Sequence, residues 1–226
     1  MSAQPVRTSS ADLFSESFPY RRNTHRYGTH EVVLRCVPSD STVLDLGCAT
    51  GYLGAALKAR GCQVWGLDRD PAVVALAESC YEDVRTIDLD QCAELPWPEH
   101  LFDVALAADV LEHVRDPDRA LQLVRKRIRP KGRLIVSLPN VAHASVRLPL
   151  LFGRFRYART GILDETHLRL FTCTTAREMV ESGGFTVERL VGASDHFGAL
   201  LQHPRMSRLV RGLLSHNIVI LARPKP

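Results

Sequence analysis

Val43–Gly54 reads VLDLGCATGYLG. Val43–Leu46, three apolar residues with Asp45 among them, has the content of a short buried strand. Gly47-Cys48-Ala49-Thr50-Gly51 supplies the glycines of a tight turn. Tyr52–Arg60 then reads as a helix stopped by Gly61. A strand, a glycine turn and a helix in that order open a βαβ unit, where the backbone comes close to a ligand at the strand's carboxyl end. Which ligand this turn holds is the question the rest of the chain must answer.

The alternation continues outward. Gln63–Leu67 reads as a strand, and Pro71 opens a helix through Cys80, since proline suits a first turn. Val84–Ile87 and Phe102–Ala107 are strands. Asp118–Ile128 is a helix with an acid near its start and a basic end, both favourable to the helix dipole. Pro130-Lys131-Gly132 turns the chain into the strand Arg133–Leu138. Strands alternating with helices imply an α/β fold on a parallel sheet. Pro139–Thr172 is a long Arg- and His-rich connection with one helical piece, Ala144–Phe152. A helix (Thr174–Ser182), a Gly183-Gly184 stop, a strand (Phe185–Val191), a helix (Leu200–Leu214) and a last apolar strand (Asn217–Ala222) follow. Ahead of it all, Thr29–Val37 has helical spacing, and residues 1–28 are polar enough for a flexible arm or lid.

The 226 residues are 45% hydrophobic with a formal charge of +4, which fits one ordinary globular domain. Residues 29–226 form that domain, with an insertion at about 139–172. No apolar run reaches the ~18 residues of a membrane span, and the N-terminus has no signal-like stretch. Six scattered cysteines without a CxxC pair argue for reduced thiols and a cytoplasmic setting. The basic residues are not interleaved with aromatics, so nucleic acid is not an expected partner.

Three ligands compete for the turn. A phosphate-cradling loop of the Walker type would need Gly-Lys-Ser/Thr, and the turn has no lysine. A dinucleotide turn would want GxGxxG, yet Ala49 stands where the middle glycine would fall. Asp45, two residues before Gly47, would repel phosphate and suits a ligand with positive groups. S-adenosylmethionine, with an ammonium, a sulfonium, a ribose, an adenine and no phosphate, has that character.

DLGCATG resembles the first motif, D/E-x-G-x-G-x-G, of the class I S-adenosylmethionine-dependent methyltransferases, with alanine for the middle glycine. The neighbours extend the resemblance. GLDRDP puts Asp68 and Arg69 at the end of the second strand, TIDLD puts Asp88 and Leu89 at the end of the third, and FDVALAADVLEHV is similar to the family's fourth-strand motif. RPKGRLIVSLP resembles the entry to the fifth. The resemblance implies a Rossmann-like seven-stranded mixed sheet in the order 3-2-1-4-5-7-6, strand 7 antiparallel, with helices on both faces. It also implies S-adenosylmethionine as cofactor and S-adenosylhomocysteine as product. The cofactor-binding set it implies is Asp45, Gly47, Cys48, Ala49, Gly51, Asp68, Arg69, Asp88, Leu89, Ala108 and Asp109. A carboxylate at Asp68 can accept both ribose hydroxyls, and Asp88 is placed for the adenine amino group. Each acid also has a local reading: Asp45 as a turn-former, Asp68, Asp88 and Asp109 as caps.

PNVAHASVRLPLLFGRFRY…GILDETHLRLFT resembles a segment of small-molecule and sugar methyltransferases, and more loosely one of the methionine-biosynthesis W family. It implies a substrate-covering role for that segment and the substrate-binding residues Asn140, Arg147, Tyr157, Asp164 and Arg169. Methyl transfer is an in-line displacement, so the protein mainly aligns the nucleophile and excludes water. A hydroxyl acceptor also needs a base, and histidine is suited to the task. His143 and His167 are the substrate-side candidates, and His113, four residues beyond Asp109, is a third with the least certain reach. No acid cluster at metal spacing stands out, so no metal is expected. The expected function is methylation of a small molecule, a sugar or natural-product intermediate, at oxygen before nitrogen or carbon. A homodimer is left open. The rivals are a cofactor-binding protein acting through a partner, an NAD(P)-dependent oxidoreductase, and an RNA methyltransferase.

Overall fold

A computed structural model of the chain describes residues 24–201 and 208–226. The elements, in chain order, are α1 (Thr29–Cys36), β1 (Thr42–Leu46), α2 (Tyr52–Lys58), β2 (Gln63–Asp68), α3 (Pro71–Ala77), β3 (Asp83–Thr86) and β4 (Phe102–Ala108). They continue with α4 (Pro117–Arg125), β5 (Ile128–Pro139), α5 (Ala144–Leu151), α6 (Cys173–Ser182), β6 (Phe185–Ala193), α7 (Gly198–Leu201), α8 (Arg208–Leu214) and β7 (Asn217–Pro224). Single 3₁₀ turns lie at Glu78–Cys80 and Leu111–His113.

Local chemistry explains the helix starts. Asp70 caps α3 by accepting from the Ala72 amide, with Pro71 at the first helical position. Asp116 does the same for α4 through the Arg119 amide, with Pro117 behind it. Thr172 and Thr175 form a reciprocal capping box on α6.

The strands make one sheet in the order β3-β2-β1-β4-β5-β7-β6. The first five pair in parallel, and β7 runs antiparallel to both its neighbours. This is the order the resemblance implies. Successive residues of a strand face opposite sides. Leu44 and Leu46 of β1 therefore belong to one core layer, with Leu121 of α4 and Val180 of α6. Val43 belongs to the other, with Val33 of α1 and Leu53 and Leu57 of α2. Asp45 shares the side of Val43, which decides its fate below.

The elements depart from the sequence reading at three places. The fourth helix ends at Arg125, not Ile128, and Ile128 instead begins β5. Ile128 is buried and pairs with Phe102, so strand burial overrides the helical spacing. The Pro130-Lys131-Gly132 turn is absorbed as a register shift between Phe102 and Val104. The helix expected at Leu200–Leu214 is found as α7 and α8, with residues 202–207 outside those described. Residues 1–23 of the expected arm also lie outside them. Its last residues are tied down: the Ser194 amide donates to the Tyr27 carbonyl at 3.0 Å. Among the described residues, no helix is long and apolar enough to cross a membrane.

Candidate functional site

A cleft of about 990 Å³ runs along the carboxyl edge of the sheet. Because β7 is antiparallel, its first residue, Asn217, reaches the same edge as the last residues of β4 and β5. Gly47 and Ala49 line the cleft after β1, Asp68 and Arg69 after β2, Asp88 and Leu89 after β3, and Ala108 and Asp109 after β4. Thr29 and His30 of α1 close one side. Ligands of open α/β sheets bind at this edge.

The turn after β1 is built from left-handed residues: Gly47 (φ 66°), Ala49 (φ 45°) and Gly51 (φ 86°). Ala49 holds a conformation that costs a β-carbon about 1–2 kcal/mol. Two bonds from β2 offset that cost. The Cys48 amide donates to the Leu67 carbonyl at 3.0 Å, and the Ala49 amide to Asp68 Oδ2 at 3.0 Å. Asp68 Oδ1 also accepts from the Asp70 amide at 3.0 Å. A carboxylate has about four acceptor sites, so roughly two remain for a ligand. Asp88 makes a local turn, accepting from the Asp90 amide and from Gln91 Nε2. Asp109 (φ 55°) binds three strands together: its Oδ1 accepts from Ser137 of β5 and from Asn217 Nδ2 of β7.

Three residues expected on the cofactor do not line the cleft. Asp45 is corrected most sharply. Its carboxylate is buried on the α1–α2 side, where Oδ2 accepts from the Tyr81 hydroxyl at 2.7 Å and Oδ1 has no partner among the described residues. Burial lifts its pKa to about 7, the Tyr81 bond opposes, and the Asp68 charge adds to the rise. Cys48 is buried beneath the turn, and burial, then the charges of Asp45 and Asp68, push its thiol pKa up. It is no nucleophile. Gly51 is the N-cap of α2 and stands against Cys80.

On the expected substrate side, Asp164 lines the cleft and the other four residues do not. Asn140 is fully buried: its Nδ2 donates to the carbonyls of Gly212 and Ser215, and its Oδ1 accepts from the Ala142 amide. It pins the end of β5 to the approach to β7. Asn140→Ala should therefore destabilise the fold by about 2–4 kcal/mol, for three lost hydrogen bonds to backbone groups around a buried side chain. Urea unfolding measures this; an unchanged midpoint would return Asn140 to the substrate list. Arg147 and Tyr157 are exposed, and Arg169 donates to the Arg115 carbonyl.

All three candidate histidines line the cleft, yet their rings are wired differently. His143 is the N-cap of α5, and its Nδ1 accepts from the Ser145 amide. In the neutral ring the proton is then on Nε2, so His143 can donate to an acceptor oxygen but not take its proton. Burial, then His216, holds its pKa low. His113 and His167 are the reverse. Their Nδ1 atoms sit 3.1 Å from the carbonyls of Thr166 and Ile162, and a carbonyl can only accept. Nε2 is then the unprotonated atom in each neutral ring. The two rings pack edge to face with centroids 4.9 Å apart.

Sequence reasoning missed a residue whose carboxylate comes within 4.8 Å of a ring nitrogen of both. Glu112 is 1% exposed, lines the cleft, and neither carboxylate oxygen has a partner on any other described residue. Burial, then the charges of Asp109 and Asp164, raises its pKa well above the usual range. Its carbonyl accepts from the Leu168 and Arg169 amides, which draws the 164–169 segment onto the 3₁₀ turn and sets His167 beside His113. Burial alone would raise Asp164, but two bonds from Thr166 outweigh it and hold that carboxyl low. The signal was an acid in the apolar run ADVLEHV.

A methyltransferase-domain family model matches residues 20–190. A protein of Mycolicibacterium smegmatis, named as a probable S-adenosylmethionine-dependent methyltransferase, is 31% identical over 80% of this chain and 64% of its own length. A ubiquinone biosynthesis O-methyltransferase of Pseudomonas paraeruginosa is 35% identical over 44% of each chain. The chain thus spans less than two thirds of the length of these curated relatives. Among solved structures, an S-adenosylmethionine-dependent methyltransferase from Mesorhizobium loti superposes with a TM-score of 0.62 at 19% identity, covering 87% of this chain and 98% of that one. With the sheet order, the glycine turn and the family match in agreement, the chain belongs to the class I S-adenosylmethionine-dependent methyltransferases.

Proposed function

We propose that this chain transfers the methyl group of S-adenosylmethionine to a hydroxyl of a small-molecule acceptor, such as a sugar or a natural-product intermediate. The observation that carries this reading is the make-up of the cleft. Asp68 and Asp88 offer spare acceptor sites to a ribose and an amino-purine. Further along the same edge, the unprotonated Nε2 atoms of His113 and His167 are basic groups suited to an acceptor hydroxyl. The acceptor oxygen attacks the methyl carbon as its proton passes to the Nε2 atom of one of these histidines. The O–C bond forms, the S–C bond breaks, and its electron pair stays on sulfur, giving the neutral thioether. His143, protonated at Nε2, holds an oxygen of the acceptor in line.

The name of the Pseudomonas relative favours oxygen over nitrogen as the methylated atom. Titration calorimetry with S-adenosylhomocysteine and, separately, NAD tests the cofactor. Heat from the first and none from the second is expected, and the reverse ends the reading. Asp68→Asn keeps the shape but removes the charge on which both ribose bonds depend. It should weaken S-adenosylhomocysteine by about tenfold or more, the worth of one charge-assisted bond. An unchanged affinity would remove Asp68 from the cofactor set. Labelled S-adenosylmethionine offered with hydroxyl and amine acceptors then reports the atom methylated.

A further inference from the structure

We infer that Glu112, His113 and His167 form a binding site for a divalent metal ion, open toward the cleft. The carboxylate and ring atoms of the three side chains all lie within 4.8 Å of one another. An ion with bonds of about 2.1 Å sets its ligand atoms about 3 to 4.2 Å apart, so small side-chain rotations close the set. This proposal departs from the expectation of no metal. The three ligands come from two segments more than 50 residues apart. The bonds from the Leu168 and Arg169 amides to the Glu112 carbonyl, with that of His113 to the Thr166 carbonyl, bring them together.

Three independent features point the same way. Glu112 is a fully buried carboxylate without a hydrogen bond from any other described residue, and such a group is costly to keep unless a cation faces it. Both histidines donate from Nδ1 to a backbone carbonyl, which fixes the tautomer and aims a lone pair from Nε2, the arrangement that orients metal-binding imidazoles. Asp109 and Asp164 stand close enough for their charges to act on Glu112, so the site has an excess of negative charge. The charge of Arg69 is felt at His113, yet Arg69 makes no bond to Glu112.

The donor set selects the ion. Two imidazole nitrogens and one carboxylate suit the middle of the first transition row and zinc, whereas magnesium and calcium prefer all-oxygen shells. Three protein ligands leave positions free for water or an acceptor oxygen. The use of the ion rests on the proposed methyl transfer and takes the place of the histidine base in it: with both Nε2 lone pairs on the ion, a hydroxyl bound there loses its proton to water at lower pH and attacks as the bound oxyanion. Binding of the ion itself does not rest on that reading.

The test uses the full chain, freed of metal by chelation. Manganese(II) is titrated with loss of its free electron-paramagnetic signal as readout, and zinc(II) by calorimetry. One ion per chain is expected. Glu112→Gln and His167→Ala should each weaken it by at least about tenfold, at the scale of lesions in metal sites. His143→Ala, outside the set, should bind metal as the parent does. S-adenosylhomocysteine titrated into every variant shows that each is folded. A parent chain that binds S-adenosylhomocysteine but neither ion overturns the site, as do Glu112→Gln and His167→Ala chains that bind metal like the parent. A chain that binds metal but no S-adenosylhomocysteine supports the site and overturns the cofactor reading instead.

Discussion

Gly47→Ala should give a chain with no calorimetrically detectable affinity for S-adenosylhomocysteine and a lowered urea midpoint. Two independent costs meet at this residue. Its φ of 66° is in the left-handed region, worth about 1–2 kcal/mol against any β-carbon. A Cβ built there would also lie 2.4 Å from Val110 Cγ2, and overpacking of that kind costs about 1–3 kcal/mol. Val110 cannot retreat freely, since it sits between Asp109, bonded to β5 and β7, and the 3₁₀ turn that carries Glu112. The strain is therefore passed to the cleft wall itself. The two costs separate in the double variant Gly47→Ala/Val110→Ala, which removes the clash and keeps the unfavourable φ. It should regain part of the lost stability. A Gly47→Ala chain that binds S-adenosylhomocysteine like the parent would mean that the turn does not approach the ligand.

The sheet was legible because burial wrote it twice, once as apolar runs such as Val104–Leu106 and again as turn chemistry at Gly47, Gly61 and Pro71. The resemblance then supplied the strand order, which periodicity alone does not contain. Ile128 misled because an apolar residue after a helix reads the same whether it ends that helix or begins a strand. The site was legible where backbone made it: Gly47, Ala49, Asp68, Asp88 and Asp109 each stand at a strand end, and all reach the cleft. It was not legible where side-chain direction decides. Asp45 has the spacing of a ligand-binding acid, but two-residue alternation along β1 turns it to the side of Val43, away from the cleft. Asn140, Arg147 and Arg169 looked alike as polar residues of one connection, yet one is buried on backbone carbonyls and the others face outward. Glu112 and His167 are far apart in sequence, and no local pattern announces that a backbone carbonyl will join them.

Stability should fall as pH rises from about 4 to 7, and Asp45 should account for much of that fall. The cause begins with two glycines. A Cβ on Gly54 of α2 or Gly66 of β2 would come within 2.4 or 2.9 Å of the Tyr81 ring, so the pair opens the slot that ring occupies. The ring delivers its hydroxyl to Asp45 Oδ2, which leaves Oδ1 buried and unpaired among the described residues, and burial raises the folded pKa to about 7. An unfolded aspartate titrates near pH 3.9. Between those values the native chain holds a proton that the unfolded chain has released, so the slope of stability against pH is negative. The contribution is complete below about pH 4 and is lost as pH climbs through the folded value, a total on the order of 4 kcal/mol. Urea unfolding at pH 5 and pH 8 measures it. Asp45→Asn keeps an oxygen for Tyr81 but cannot ionise, so most of the difference between the two pH values should vanish, with the gain appearing at pH 8. Glu112, raised by its own burial, adds a fall of the same sign that this variant leaves in place. Tyr81→Phe should act oppositely: without the hydroxyl that favours the charged form, the fall still begins near pH 4 but extends to higher pH. If Asp45→Asn retains the full difference between pH 5 and pH 8, the carboxylate is solvated after all, and the glycine turn rests on something other than a neutral acid held by Tyr81.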